Sequence, residues 1–238
     1  MLRVGLTAML LALGLACTSA LPLRAPADPA RDIATWPAAD QALRTGSAKM
    51  GELRTLRERL SSRTYRNEEP FLAVDAERAY VAPDRRYEKM EGRSPVESVS
   101  GETVQIGAQF FKRLNVNGPW QQMRWTESVV WPGSEYSFSG AKNVTYEGVG
   151  EADGRPARTL TLQHEGTGDA RNVGWQFQTR LWVDPDTGYF LRRETRGGRQ
   201  ETEPTTGKPL TQRYEATWTY LDHNGPITIS DPIAAGIP

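Results

Sequence analysis

The chain has 238 residues, a length that an all-β domain often reaches as a single unit, so one core is the expected organisation. Its 29 basic residues balance its 29 acidic residues, and no basic block or stripe stands out. This charge distribution argues against a nucleic-acid partner or an anionic membrane surface. The single cysteine excludes a disulfide within the chain.

The first 20 residues have the layout of a secretory signal peptide. Arg3 supplies an early positive charge, an apolar run follows from Val4 to Ala16, and small residues come after it. The run is too short to span a bilayer, and no other segment is continuously apolar for the roughly 18 residues that a membrane helix needs. The sequence therefore predicts secretion across the cytoplasmic membrane, to the periplasm or the cell surface.

Cys17 stands where the apolar run stops, and two interpretations of it remain open. In one, Gly14-Leu15-Ala16 precede a lipoprotein cysteine, which becomes the lipidated first residue and anchors the protein to a membrane. In the other, ordinary cleavage after Ala20 removes Cys17 together with the signal peptide.

The segment after the signal changes character twice. Residues 21–37 are rich in proline and alanine and predict an extended linker. From Ala38 to about Met50, the apolar spacing predicts one short helix, with Gly46 as its weak point. We therefore expect a signal over residues 1–20, a linker, and a single β domain over residues 38–238.

Beyond the helix, strand signals recur at short intervals with turn chemistry between them. Leu53 to Ser62 is ambiguous, because its leucines have helical spacing. Turn-forming pairs such as Asp153-Gly154 and Gly197-Gly198 predict that neighbouring strands are antiparallel hairpins. The other candidate strands are Phe71 to Ala82, Arg86 to Glu91, Thr103 to Leu114, Trp120 to Trp131, Val144 to Ala152, Ala157 to His164, Val173 to Val183, Tyr189 to Arg196, Gln212 to Leu221 and Ile227 to Ser230.

Alternating side chains predict one apolar and one polar face for each strand. A large sheet of this kind closes around a filled core, or it leaves its apolar face incompletely covered and available to a hydrophobic ligand. The apolar sets are Trp175, Phe177, Thr179, Leu181 and Val183; Val104, Ile106, Ala108 and Phe110; Met123, Trp125, Val129 and Trp131; Leu160 and Leu162; and Tyr214, Ala216, Trp218 and Tyr220.

Several short motifs occur in an order that resembles LolA-like and LolB-like lipid-binding lipoproteins. The motifs occur in the order Pro-Asp-Arg, Glu-x-x-x-Ile-Gly, aromatic-x-Arg and Trp. Together with motifs in the later strands, the resemblance spans roughly residues 38 to 232. The motifs are Val81-Ala82-Pro83-Asp84-Arg85, Glu102 to Gly107, Phe111-Lys112-Arg113, Trp120, Gly154-Arg155-Pro156-Ala157, Leu181-Trp182-Val183-Asp184, Thr187-Gly188-Tyr189 and Arg192.

The resemblance implies a mainly β (α+β) fold. The expected architecture is a curved, incompletely closed antiparallel β-barrel with one or two helices covering its concave face. It makes Leu53 to Ser62 the first strand. Residues 132–143 depart from the family pattern, because this stretch is short, rich in glycine and serine, and a poor helix where family members carry covering helices.

The resemblance also implies non-enzymatic binding or carriage of a lipid, or of a lipoprotein acyl chain, in the cell envelope, without a cofactor. The alternative is an envelope interaction or sensing module that uses its convex face or an edge strand to bind a protein and carries no lipid. The candidate ligand contacts are Ile106, Phe110, Trp125, Val129, Leu160, Leu162, Phe177, Leu181, Trp218 and Tyr220.

Other chemistry has little support in the sequence. Neither G-x-S-x-G nor H-E-x-x-H occurs, and the two histidines are expected at an exposed strand end, His164, and in a turn, His223. Asp184 and Asp186 are typical turn residues, so no metal site is predicted. Glu102 is expected to pair with an arginine on a neighbouring strand.

Overall fold

An antiparallel sheet of eleven strands and one helix make up the regular structure of the described part of the chain. The computed structural model describes residues 36–115, 117–124, 138, 140–166, 174–203 and 205–236. Helix α1 is Ala39–Gly51. The strands are β1 Thr55–Arg66, β2 Glu69–Val81, β3 Arg85–Arg93, β4 Ser98–Ile106, β5 Gln109–Leu114, β6 Gln121–Arg124, β7 Lys142–Ala152, β8 Arg155–Glu165, β9 Gln176–Val183, β10 Phe190–Thr202 and β11 Pro209–Leu221.

The strands follow one another through the sheet in the order β6-β5-β4-β3-β2-β1-β11-β10-β9-β8-β7. Every neighbouring pair is consecutive in the sequence except β1 and β11, which pair from Arg57↔Leu221 to Arg66↔Gln212. The sheet is not closed, because β6 and β7 are its two ends among the described strands. The predicted fold class, an open antiparallel sheet with a covering helix, is therefore confirmed.

The ambiguous segment Leu53 to Ser62 is a strand, as the resemblance predicted, and the expected helix is α1. The turn at Asp153-Gly154 is also as predicted, since both residues have the positive φ angles, 51° and 76°, that a tight hairpin turn requires.

Three expectations about the strands are wrong. Thr103 to Leu114 is a hairpin rather than one strand, because Gly107, with φ 57°, turns the chain between β4 and β5. Gly197-Gly198 is not a turn but lies inside β10, where Phe177 fills the space that a Cβ on Gly197 would take. Residues 227–230 form no strand.

The face of the sheet that packs against α1, here called the inner face, carries the main hydrophobic core. Met50 from the helix, Leu56 from β1, and Leu160 and Leu181 from β8 and β9 are all 0% exposed. Cross-strand partners share a face of a sheet, and Leu160 pairs with Leu181. The helix therefore covers the centre of the inner face.

The opposite, outer face has its own smaller cores. Ala79, Val104 and Phe111 pack with Ile229 from the segment after β11. The Arg85 guanidinium donates a hydrogen bond of 2.8 Å to the carbonyl of Ile229 and fixes that segment on the sheet. Ile227 and Ile229 are apolar because they cover the outer face rather than because they form a strand.

Gly46 is a point of close contact between α1 and the sheet. A Cβ at this position would lie 2.4 Å from Cε1 of Phe190, whose side chain is 0% exposed. The predicted weak point of the helix is thus a position where only a hydrogen atom fits.

We expect Gly46→Ala to lower the free energy of unfolding by about 1–3 kcal/mol, because overpacking against Phe190 outweighs the gain in helix propensity. Gly51→Ala, at the exposed end of the same helix, is the control and is expected to change stability by no more than about 1 kcal/mol. Chemical denaturation measures both. A Gly46→Ala protein as stable as the wild type would contradict the close contact.

Candidate functional site

Five of the predicted ligand contacts lie together in the core of the inner face. Leu160, Leu162 and Leu181 are at most 1% exposed, Tyr220 is 2% exposed and Trp218 is 9% exposed. These side chains form the closely packed centre of the inner face. They are therefore buried beneath the surface of the inner face rather than exposed on it.

The remaining predicted contacts have different places. Phe177 is half-buried on the inner face and its ring stacks on Trp175 at 5.6 Å. Phe110 pairs with Gln105 and Ile106 pairs with Gln109, so these two side chains lie on opposite faces, and the expectation that they share a face is wrong. Ile106 packs against the outer-face core with Val104. Trp125, Val129 and Cys17 lie outside the described residues.

An apolar surface on the inner face of β2 to β5 was not predicted. We call it the wing patch, and it consists of Leu72, Val74, Met90, Val99 and Leu114. Leu114 is 66% exposed, Val99 46% and Leu72 39%. Val74 pairs with Gly92 and Met90 with Gly101, so two glycines leave the floor of the patch without side chains. Alternating residues of β4 face inward and could have indicated an apolar patch. The glycines at inner-face positions interrupt that apolar pattern.

Four charged residues cross the inner face beside the wing patch and form what we call the ionic row. Arg78 contacts Glu58 at 3.2 Å and Glu88 at 3.0 Å, and Arg86 contacts Glu88 as well. The Glu58 side chain is only 1% exposed. The two positive and two negative charges balance, which is what permits this burial, since an unpaired buried charge is costly.

A chain of hydrogen bonds runs through the inner face at β8, β9 and β10. His164 Nε2 is 3.1 Å from Thr179 Oγ1, which is 2.9 Å from Thr195 Oγ1. Arg193 Nε donates to Thr195 Oγ1 at 3.0 Å. Both hydroxyls have a donor and an acceptor as partners in one arrangement. In it, Thr195 donates to Thr179, and Thr179 donates to Nε2 of a neutral His164. His164 is therefore half-buried and bonded, and the expectation of an exposed strand end is wrong.

The surroundings of both histidines favour the neutral ring. Burial and then the positive charge of Arg193 lower the pKa of His164, while the carbonyl of Glu165 acts in the opposite direction. Burial also lowers the pKa of His223, although its Nε2 lies 2.9 Å from the carbonyl oxygen of Phe190. The hydroxyl that His164 faces, on Thr179, is 0% exposed, and His223 faces a backbone carbonyl.

The acidic residues considered in the sequence have structural partners. Glu102 pairs with Arg113, with a shortest distance of 2.9 Å, as predicted. Asp184 accepts the backbone N–H groups of Asp186 and Thr187, each at 2.9 Å, and contacts Arg155. Within the described ranges, no group of three or more potential ligands is placed to hold a metal ion. No helix in that part of the chain is both long and apolar enough to cross a membrane.

Comparison with known proteins identifies the fold. No protein-family model matches the chain, and no curated protein matches it in sequence. LprF from Mycobacterium bovis has a similar structure, with a TM-score of 0.56 and 14% identity, covering 82% of this chain and 96% of LprF. This similarity confirms the predicted fold. At this identity it establishes the fold alone.

Two other solved structures match at lower scores. The lipoprotein LppX from Mycobacterium tuberculosis has a TM-score of 0.47 and 13% identity, covering 81% of this chain and 98% of LppX. A LolA superfamily protein from Nitrosomonas europaea has a TM-score of 0.32 and 14% identity, covering 82% of this chain and 96% of its own.

The two histidines make the stability of the protein sensitive to mild acid. Because the pKa of His164 is lower in the folded protein than in the unfolded chain, the unfolded chain binds more protons below its ordinary pKa of about 6.5. Stability is therefore expected to be greatest above about pH 7 and to fall toward about pH 5.5. His164→Gln should reduce that slope, and His164→Gln combined with His223→Gln should reduce it further. Urea denaturation at several pH values measures the slope, and an unchanged slope in His164→Gln would refute the assignment.

Proposed function

We propose that the protein binds or carries a lipid, or the acyl chain of a lipoprotein, on the inner face of its sheet, without catalysing a reaction. The observation that carries this proposal is the wing patch. Its side chains are apolar and up to 66% exposed, on the same face as the buried core. Contiguous exposed apolar surface is typical of sites that bind a hydrophobic partner. The fold shared with LprF and the motif resemblance support the proposal.

The ligand contacts fall into two groups in this proposal. The wing patch receives the part of the ligand that enters from solvent. The predicted contacts at the inner face, among them Phe110, Phe177 and Trp218, form the wall and floor beside it. Burial of each methylene contributes about 0.8 kcal/mol, so an acyl chain is held by many small contributions and is released without breaking a covalent bond.

A second candidate function is the binding of an envelope protein along a free strand edge. Among the described strands, β7 pairs only with β8 and therefore presents backbone groups along its other edge. An extended segment of a partner can add to such an edge. This candidate requires no lipid.

We also propose that the segment before the β domain delivers and tethers it. The apolar run directs secretion to the periplasm or the cell surface. Cys17 carries the lipid anchor, and residues 21–35 are the tether between the anchor and the domain, because the Trp36 ring already packs 4.7 Å from that of Tyr146. The two alternatives for Cys17 differ in whether the mature protein is bound to a membrane.

Native mass spectrometry of the protein purified from its host tests lipid binding directly. We expect co-purifying lipid, and we expect Leu114→Asp combined with Val99→Asp to weaken rebinding of a long-chain fatty acid at least about tenfold, since two apolar contacts are lost. Val96→Asp, in the 90% exposed turn between β3 and β4, is the control and should bind as the wild type does. A protein that contains no lipid but captures a protein partner along the β7 edge would overturn the lipid proposal in favour of the second candidate.

Metabolic labelling with a clickable fatty acid tests the anchor. Labelling of the mature protein is expected in the wild type and should be lost in Cys17→Ser, because the thiol is the attachment point. Labelling that survives the substitution would refute lipidation at Cys17. The fatty acid must be shown to be covalently attached, by its resistance to extraction with organic solvent.

A further inference from the structure

Arg193 is a half-buried cation on the inner face of β10. Its guanidinium carbon lies 4.2 Å from the centre of the Trp218 ring and 5.2 Å from that of Phe138. Its Nε donates to Thr195, whose side chain belongs to the buried hydrogen-bond chain. The two rings and the hydrogen bond hold the guanidinium in one place, and stacking on aromatic rings offsets part of the cost of its burial.

Two other arginines of β10 have carboxylate partners, whereas no described residue supplies one to Arg193. Arg192 and Arg199 on the same strand contact Glu194 at 2.6 Å and Glu201 at 3.0 Å. In the part of the chain that the structure describes, no carboxylate lies within 4.0 Å of Arg193, and its two Nη atoms make no hydrogen bond. A fixed guanidinium with free Nη donors matches the oxygens of a carboxylate or a phosphate.

A row of cross-strand partners leads from Arg193 to the wing patch. The row runs along the inner face from the cation through an aromatic and several aliphatic residues to the exposed end of the patch. Its members, each paired with the next, are Arg193, Trp218, Leu60, Ala76, Met90, Gly101 and Leu114. Strands lie about 4.8 Å apart, so the row measures about 29 Å from Arg193 to Leu114.

We propose that Arg193 binds the anionic head group of an amphiphile whose acyl tail lies along this row toward the wing patch. Trp218, Leu60 and Ala76 are at most 9% exposed, so the tail displaces the side chains that cover them. The inference rests on the proposed lipid binding and adds the class of ligand, a single acyl chain ending in a carboxylate or a phosphate. The length is sufficient, because the chains of one bilayer leaflet span about 15 Å. The polarity also fits, since the row has its charge at one end and only apolar or glycine positions after it.

The test compares ligands that differ only at the head group. Palmitate, its methyl ester and a single-chain phosphate monoester are titrated into the purified protein stripped of co-purified lipid, and affinities are read by native mass spectrometry. We expect the wild type to bind palmitate or the phosphate at least about tenfold more tightly than the ester, because a charge-assisted hydrogen bond is lost with the ester. The tighter of the two anions identifies the carboxylate or the phosphate as the natural head group.

Two variants assign that preference to Arg193. Arg193→Gln should lose the preference for the anion while it still binds the ester, which also shows that the variant is folded. Arg193→Lys should keep part of the preference because it keeps the charge. Arg192→Gln is the matched control, since Arg192 is the adjacent cation on the outer face, over the Trp182 ring at 5.2 Å, and its loss should leave the preference unchanged.

The outcomes separate the inference from the function on which it rests. Equal affinity of the wild type for palmitate and the ester, or a preference that survives in Arg193→Gln, would overturn the role of Arg193 and leave lipid binding standing. If the wild type binds none of the three ligands, lipid binding itself fails and the head-group site fails with it.

Discussion

The pairing of the first and last strands is the constraint on which the rest of the structure depends. β1 and β11 are distant in the sequence, and among the described strands theirs is the pairing that joins β2 to β6 with β7 to β10. Ten residue pairs form it, and one of them places Leu60 beside Trp218. The inner face is continuous only because of this contact, and the row from Arg193 to the wing patch crosses the sheet at that point.

A sheet with two such large faces must be covered on both, and the chain uses different elements for each. Helix α1 covers the centre of the inner face with Leu43 and Met50. The segment after β11 covers the outer face with Ile229. Among the described residues, nothing comparable covers Leu114 and Val99, which keep 66% and 46% of their surface exposed. Three of the eight exposed large hydrophobic side chains among the described residues therefore lie together at the wing patch, on the same face as the main core.

The sequence patterns predict the strands well where apolar and polar residues alternate without a break. They fail where the backbone conformation of a glycine determines whether the strand continues or turns. The stretch from Trp175 to Val183 alternates cleanly, and its alternate residues Leu181 and Val183 lie in the inner-face core as expected. Thr103 to Leu114 also alternates, but the positive φ of Gly107 turns the chain and sends Phe110 to the face opposite Ile106. Composition alone does not distinguish a glycine that turns the chain from one that makes room for a neighbour, as Gly197 does for Phe177.

The candidate site was predicted less completely, because its character depends on contacts between distant strands. The core residues Leu160, Leu181 and Trp218 follow from alternation. The wing patch requires the registers of β2 to β5, which bring Met90 and Leu114 to opposite sides of Gly101. His164 ends a predicted strand, and only the pairing of β8 with β9 shows that it lies beside Phe177 inside the inner face.

The ionic row and Arg193 differ in whether their charges are compensated by other residues of the inner face. Arg78 is buried with Glu58 and Glu88, so the charges of the ionic row balance within the protein. Arg193 is held by aromatic rings and a threonine, which orient it but carry no negative charge to compensate it. A buried carboxylate beside Arg193 would stabilise the empty protein more and would compete with any anionic ligand. Its absence among the described residues is the arrangement expected where the compensating charge is supplied from outside.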